Sequence, residues 1–273
     1  MLLTVDVGNS QTVLATFDGD RRVGGWRVTT QARATSDEMR LAWRGLLRST
    51  EVSGVAACSA VPALLPPLRA LLDSLEVPVV LIGPGVRTGV PLHVDNPREV
   101  GADRVVTALA AHEFFGRVPG GAGRPVVVVD FGTSTNVDAV GPAGQFLGGA
   151  LAPGMEVGLE ALAARAAQLR SVELSLPAQA IGKNTVAALQ SGVVLGHACL
   201  VDGLVGRITV ELVEQFGRPP VVVATGGLAP LVAGSCRTVT EHEPDLTVHG
   251  LRLAFDRHRS GHRSPPGRRP VAP

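Results

Sequence analysis

The chain has no tyrosine, and Lys183 is the single lysine among 25 basic residues. Aromatic residues fill only 3% of its 273 positions, and the three cysteines are Cys58, Cys199 and Cys236. Each scarcity excludes something. The cysteines are far apart and odd in number, with no C-x-x-C or Cys/His ligand spacing. Neither a disulfide framework nor a structural zinc site is expected. Buried free thiols are expected instead. No G-x-x-x-x-G-K-[ST] run exists, since Gly182-Lys183-Asn184-Thr185 has the wrong spacing and follows no strand. A G-x-G-x-x-G run after an early strand is missing too. A Walker-type NTPase and a Rossmann dehydrogenase are therefore disfavoured. A net charge of +1 gives no broad pull toward nucleic acid or an acidic membrane. The apolar run 54–65 is too short to span a bilayer and contains Pro62. The opening MLLTVDVG lacks a basic flank and is interrupted by Asp6, unlike a signal peptide. A soluble, cytoplasmic protein is the expectation.

What is present is a large apolar fraction, 45% of residues, enough for one large or two smaller domains. Strand-like and helix-like runs alternate. Residues 1–5, 13–17 and 22–28 read as three strands. An amphipathic helix follows from Ser36 to Leu47, with Thr35 or Ser36 as its N-cap. Then come a strand at 52–61, a helix at 62–75 cut by Pro66 and Pro67, and a strand at 77–82. A second cycle starts after the glycines between 116 and 123. It has strands in PVVVVDFGTSTNVDAV and QFLGGALAPG, helices over 154–170 and 182–217, and a buried strand in PPVVVATGG. The basic, Pro-rich segment from Arg257 is expected to be disordered.

The two cycles are copies. At an offset of 124, Asp6 falls on Asp130, Gly8 on Gly132, Ser10 on Ser134, Val13 on Val137 and Gly24-Gly25 on Gly148-Gly149, without a gap. Each copy carries Asp-x-Gly at its first hairpin. Glycine lets backbone N–H groups approach phosphate oxygens, and Ser/Thr hydroxyls add donors. A carboxylate repels phosphate, so its use beside such a turn is to hold a cation that bridges to it. Two similar domains facing each other across a cleft would clamp one triphosphate from both sides.

With this repeat, the sequence resembles the acetate and sugar kinase/Hsp70/actin superfamily, and most of all its type III pantothenate kinases. The resemblance runs from Met1 to about Phe255. It rests on DVGNSQTV, DNPREVGADR (95–104), DFGTSTNVDAV (130–140), GGALAPG (148–154), GKNT (182–185), SGVVLGHACLVDGLVGRI (191–208) and ATGGLAPL (224–231). It implies an α/β fold of duplicated actin-like ATPase (ribonuclease H-like) domains with mixed sheets. The expected division is 1–115, 116–256 and a tail at 257–273.

The resemblance also implies roles. Asp6, Val7, Gly8, Asn9, Ser10, Gln11, Thr12 and Val13 would bind ATP, with Mg²⁺ near Asp6. Thr133 would also contact ATP. Asp103 would be the general base, in a loop of Gly101, Ala102, Asp103 and Arg104 that holds pantothenate. Thr185 would contact pantothenate, as would the position of Val94, where many members have Tyr. Asp130 would bind a monovalent cation, K⁺ or NH₄⁺. A homodimer is implied, as is ATP-dependent phosphorylation of pantothenate to 4′-phosphopantothenate.

The residues alone leave other uses open. Asp103 precedes an apolar-periodic run and suits a plain helix N-cap. Arg104 suits either a substrate anion or a brace for the loop. Lys183 suits an anion or solvent. Asp138 reads as a structural strand-end acid. His93, His112 and His197 have no paired ligand spacing and read as packed or exposed singly. Gly226-Gly227 suits a tight turn, an adenosine contact, or both. Val94, and Ala166 to Arg170 where the family often reads Thr-Ala-Lys-Leu-Pro, keep in play a catalytically silent nucleotide-binding regulator. A kinase for a different small hydroxy acid is a third reading.

Overall fold

A computed structural model describes residues 1–48, 50–165 and 172–262. The chain divides into two units. Among the described residues, one holds 1–89, 101–106 and 248–262; the other holds 90–100 and 107–247.

The first unit opens with β1 (Leu2–Val7), β2 (Gln11–Asp18) and β3 (Arg21–Thr29). These are followed by α1 (Ser36–Leu47), β4 (Gly54–Ser59), α2 (Leu65–Asp73) and β5 (Val79–Leu81). The sheet order is β3-β2-β1-β4-β5. The hairpins are antiparallel and the β1–β4 and β4–β5 pairs parallel. Alternation along β1 sorts its side chains. Leu3, Val5 and Val7 pack with Trp43, Leu64, Leu68 and Leu72. On the opposite face stand Leu2, Thr4 and Asp6. Thr35 is the N-cap of α1: its hydroxyl accepts from the Glu38 N–H while the Glu38 carboxylate accepts from the Thr35 N–H. Pro66 and Pro67 do not cut a helix. They lie in the first turn of α2, where proline's fixed φ and missing N–H are tolerated.

The second unit contains β6 (Val126–Phe131), β7 (Ser134–Val140), β8 (Phe146–Pro153) and α4 (Met155–Arg165), with α3 (Ala102–Ala111) entering it from Thr107. Then α5 (Thr185–Gln190) continues through a π turn at Ser191–Leu195 into α6 (Gly196–Phe216). β9 (Val221–Thr225), α7 (Ala229–Val232) and β10 (Glu241–His242) follow, and α8 (Leu246–His262) starts here. The sheet order β10-β9-β6-β7-β8 repeats that of the first sheet. Val127, Val129, Phe131 and Val137 form its core with Val194, Ala198, Val201 and Val205 of the long helix.

The duplication is therefore real at the level of topology, but not gapless. Asp6 stands opposite Val13, whereas Asp130 stands opposite Asn136. Across the next pair, Ala15 faces Gly25 and Asp138 faces Gly149. β1 and β3 map onto β6 and β8 at the offset of 124, while β7 is slid by one residue. The second hairpin turn is one residue tighter, and its loss is recovered before β8. Asp138 is buried in the middle of β7 rather than at a strand end.

The units differ from a single division between 115 and 116. Val248 packs with Ala15 and Phe17, the Phe255 ring lies over Gly54, and Gly250 comes against the Val106 carbonyl. These contacts carry α8 into the first unit. Nor does order stop at Arg257. α8 runs on to His262, and the Arg257 guanidinium donates to the Thr88 and Gly89 carbonyls at 3.5 and 3.3 Å. The rest of the expected tail, and positions 166–170, lie outside the described residues. Of the three free cysteines, Cys58 and Cys236 are buried as expected, but Cys199 is exposed.

Candidate active site

In the first unit the site begins at the end of β1. The turn after it is closed by the Gly8 N–H donating to the Gln11 carbonyl at 3.0 Å. A Cβ on Gly8 would stand 2.9 Å from that same carbonyl, so the turn needs glycine for close approach. Asn9, Ser10 and Gln11 are exposed, while Thr12 is buried with its hydroxyl 2.9 Å from that of Thr30. The Ser10 carbonyl accepts from the Thr30 N–H. The hairpin is thus tied to the end of β3 and presents polar groups at its tip.

Asp6, just before this turn, is half-buried. Burial pushes its carboxyl up to about 7, and the like charge of Asp103 adds to the rise. The Cys58 thiol donates to Asp6 Oδ1 at 3.3 Å, and it and the charge of Arg27 act in the opposite direction. Cys58 itself is pushed well above the usual thiol range, by burial first and then by the two carboxylates. It is an inert donor, not a nucleophile.

Asp103 is the second residue of α3, inside its first turn, so it is not the helix N-cap. It sits where an acid is favoured by the helix dipole. A Cβ on Gly101 would overlap Asp103 Oδ1, so the carboxylate occupies space that only glycine leaves open. Gly101, Ala102, Asp103 and Arg104 are all half-buried, ahead of the buried Val105 and Val106. The structure therefore brings Asp6, Asp103 and the Gly101–Arg104 turn together in one unit.

The second unit carries its own group. Asp130 pairs with Asn136 on one side and Thr225 on the other. Gly226 has φ +93°, and a Cβ there would overlap Asp130 Oδ1 and come within 2.6 Å of the Phe131 carbonyl oxygen. Two oxygens thus converge on Gly226. Thr133, exposed at the hairpin tip, has its carbonyl held by the Gly154 N–H at 3.0 Å. The Ser134 hydroxyl donates to Asn136 Oδ1 at 2.9 Å, so Asn136 is engaged within the turn. Val94 also belongs to this unit, half-buried beside Gly148. Thr185 opens α5, exposed, just after the N-cap Asn184, whose side chain accepts from the Ala187 N–H at 2.9 Å. Gly182 folds tightly onto Ala188 in that first turn, and Lys183 is exposed. His197 is bonded to the Thr135 hydroxyl at 2.8 Å, and burial lowers its pKa, consistent with a packed neutral ring.

Sequence reasoning missed Cys58 and Arg27. Both are brought to Asp6 by strand pairing: Cys58 is the β4 partner of Asp6, and Arg27 is the β3 partner of Val13, which faces Asp6. Only the sheet order and register would have revealed them.

A family model described as type III pantothenate kinase matches residues 2–207. The chain belongs to this family. A protein of Salinispora arenicola named type III pantothenate kinase is 53% identical over 261 residues, covering 94% of this chain and 99% of that protein. A protein of the same name from Rhodococcus jostii is 51% identical, covering 97% and 99%. Among solved structures, a Campylobacter jejuni protein described as a conserved putative Baf family transcriptional activator matches with TM-score 0.60 at 16% identity, covering 94% of this chain and 99% of that one. A ROK family glucokinase from Streptomyces griseus matches with TM-score 0.53 at 15% identity, covering 95% and 100%. At such identities the last two establish the fold alone. That fold is the mixed α/β architecture of the sugar kinases.

Proposed function

We propose that Asp103 is the general base with which this chain performs its family's reaction. As a type III pantothenate kinase, the chain phosphorylates pantothenate with ATP, in coenzyme A biosynthesis. The observation that carries the base assignment is a half-buried carboxylate in the first turn of α3, kept free of the N-cap role and given its space by Gly101. Asp103 takes the proton of the primary alcohol as the alcohol oxygen attacks the γ-phosphorus. The bond to the β,γ-bridging oxygen breaks, and ADP leaves. Within the first unit, the Gly8–Thr12 turn presents hydroxyls and N–H groups to the phosphates, and Gly101 to Arg104 hold pantothenate. In the second unit the resemblance assigns Thr133 to ATP, and Val94 and Thr185 to pantothenate.

Mg²⁺ entering with ATP neutralises phosphate charge. Asp6 fits that ion, directly or through water, because a carboxylate held near neutral by burial gains most from an arriving cation. Among the described residues no cluster of three acid, His or Cys groups suits a tightly held metal. Asp130 with the Phe131 carbonyl suits a weaker, monovalent ion. The test is an assay with ATP, Mg²⁺ and pantothenate, with K⁺ present or replaced by a bulky organic cation. Product is expected only with pantothenate. Loss of K⁺ should slow the reaction about tenfold or more, the scale of one modest charge contact. Asp130→Asn should remove the K⁺ response. A rate indifferent to K⁺ would refute the Asp130 assignment.

The homodimer has a face to form on. The helix from Thr185 to Phe216 is strongly apolar, yet only 22% of its most apolar stretch is buried. Gly192, Gly196, Cys199, Gly203, Gly206, Val210 and Val213 recur at spacings of four and three, and all are exposed. Nothing lies near the Cβ positions of its four glycines. That is the pattern of a helix–helix seam. Arg207, Glu211 and Glu214 line the same exposed helix, which suits a wet protein interface in a cytoplasmic enzyme better than lipid. Gly203→Glu should convert dimer to monomer in sedimentation velocity while leaving the far-UV spectrum unchanged. A dimer that survives this change would move the interface elsewhere.

A further inference from the structure

Cys58, Asp6, Val13 and Arg27 form one transverse row across the first sheet. Directly paired residues send their side chains to the same face. Arg27 therefore shares a face with Asp6, two strands and about 10 Å of backbone away. Its positive charge is felt at Asp6, as is the negative charge of Asp103. Arg27 is exposed, and among the described residues no hydrogen bond or close ion pair holds its guanidinium. Its neighbour Arg22, by contrast, is packed over Gly25.

A phosphoryl group that reaches Asp103 must approach that carboxylate, which repels it, with the acid Asp6 close by. An unengaged guanidinium on the same face supplies the opposing charge. Arginine also presents a planar fork of donors that matches two phosphate oxygens at once. We infer that Arg27 is a catalytic residue, its guanidinium holding the γ-phosphoryl oxygens during transfer to the alcohol. The inference rests on the placement of Asp6 and Asp103 in the nucleotide and base roles.

The test compares wild type, Arg27→Gln and Arg27→Lys by calorimetry with Mg²⁺ and either ADP or a non-hydrolysable ATP analogue, together with steady-state kinetics. Arg27→Gln should weaken the analogue about 10–100-fold, as expected for a lost bond to a charged group, and leave ADP within about twofold. It should lower kcat about 10²–10³-fold with little change in the KM for pantothenate. Arg27→Lys should recover part of both. Equal losses for ADP and the analogue, or no loss for either, would overturn the inference. Arg27 lies exposed on its strand, so an unchanged melting curve of the ligand-free variants would exclude a folding defect. If Asp103→Asn keeps full rate while Arg27→Gln still separates the two nucleotides, the base assignment falls and Arg27 stands. A wild type that binds neither nucleotide overturns both.

Discussion

Asp103→Asn should lower kcat by about 10²–10⁴-fold, the range over which a positioned proton acceptor acts. Asparagine keeps the size and one acceptor oxygen, but it cannot take the alcohol's proton. The loss should fall on kcat, with pantothenate still binding through Arg104 and its neighbours. Folding should survive, because Asp103 lies inside the first turn of α3 and caps nothing. Nucleotide binding should change in a specific way. The Asp103 charge is one of the two causes that raise the Asp6 carboxyl. Removing it makes Asp6 easier to ionise, so Mg²⁺-nucleotide binding should extend to lower pH. Gly101→Ala should mimic the kinetic defect without changing the base, because its Cβ would displace the Asp103 carboxylate. Rapid-quench measurement of one turnover separates these effects from product release. A full-rate Asp103→Asn enzyme would end the assignment.

The sequence exposes the parts of this site that are local and conceals those made by pairing. The Thr35–Glu38 capping box, the order of strands and helices, and both Asp-x-Gly hairpins are written in neighbouring residues, where period and turn chemistry act. The α8 contacts are not. The expected division keeps everything from 116 to 256 in the second domain, yet Val248, Gly250 and Phe255 find their partners at Phe17, Val106 and Gly54. Nothing short-range encodes contacts over such separations. The slide of β7 is hidden for a related reason. Its one-residue deletion at the turn and the recovery before β8 cancel along the chain, so a gapless alignment survives while the cross-strand partner of Asp130 is Asn136, not Val137, the offset match of the Val13 that faces Asp6. Cys58 looked like any buried thiol until β4 paired with β1. What the family resemblance added was the role proposed for Asp103, which its pattern alone presents as a cap.

Asp6→Asn should make the ligand-free protein more stable and functionally silent. In the folded state the Asp6 carboxyl is raised from 3.8 to about 7, chiefly by burial. Its folded value lies above its unfolded one, so the folded chain holds this proton where the unfolded chain has lost it. Unfolding then releases a proton, and stability falls as pH rises from about 4 to about 7. Above 7 the penalty is complete and constant. A shift of this size corresponds to a ceiling of about 4 kcal/mol. Residual solvent contact at this half-buried group reduces it. Asparagine carries no charge and still offers Cys58 an acceptor oxygen. The variant should match wild type near pH 4, exceed it increasingly toward pH 7 and hold that margin at pH 8, as read by urea unfolding. Equal stability at pH 8 would mean that Asp6 ionises freely. The same displacement gives binding a signature. Mg²⁺-nucleotide must capture Asp6 as the anion, so binding near pH 6 should release close to one proton, and binding above pH 8 almost none. Calorimetry in buffers of different ionisation heat measures that proton directly, and Asp6→Asn should abolish it along with the affinity. On the proposed role of Asp6, a carboxylate buried at a stability penalty, beside a glycine turn and a second acid, would have that penalty relieved by the cation that arrives with substrate.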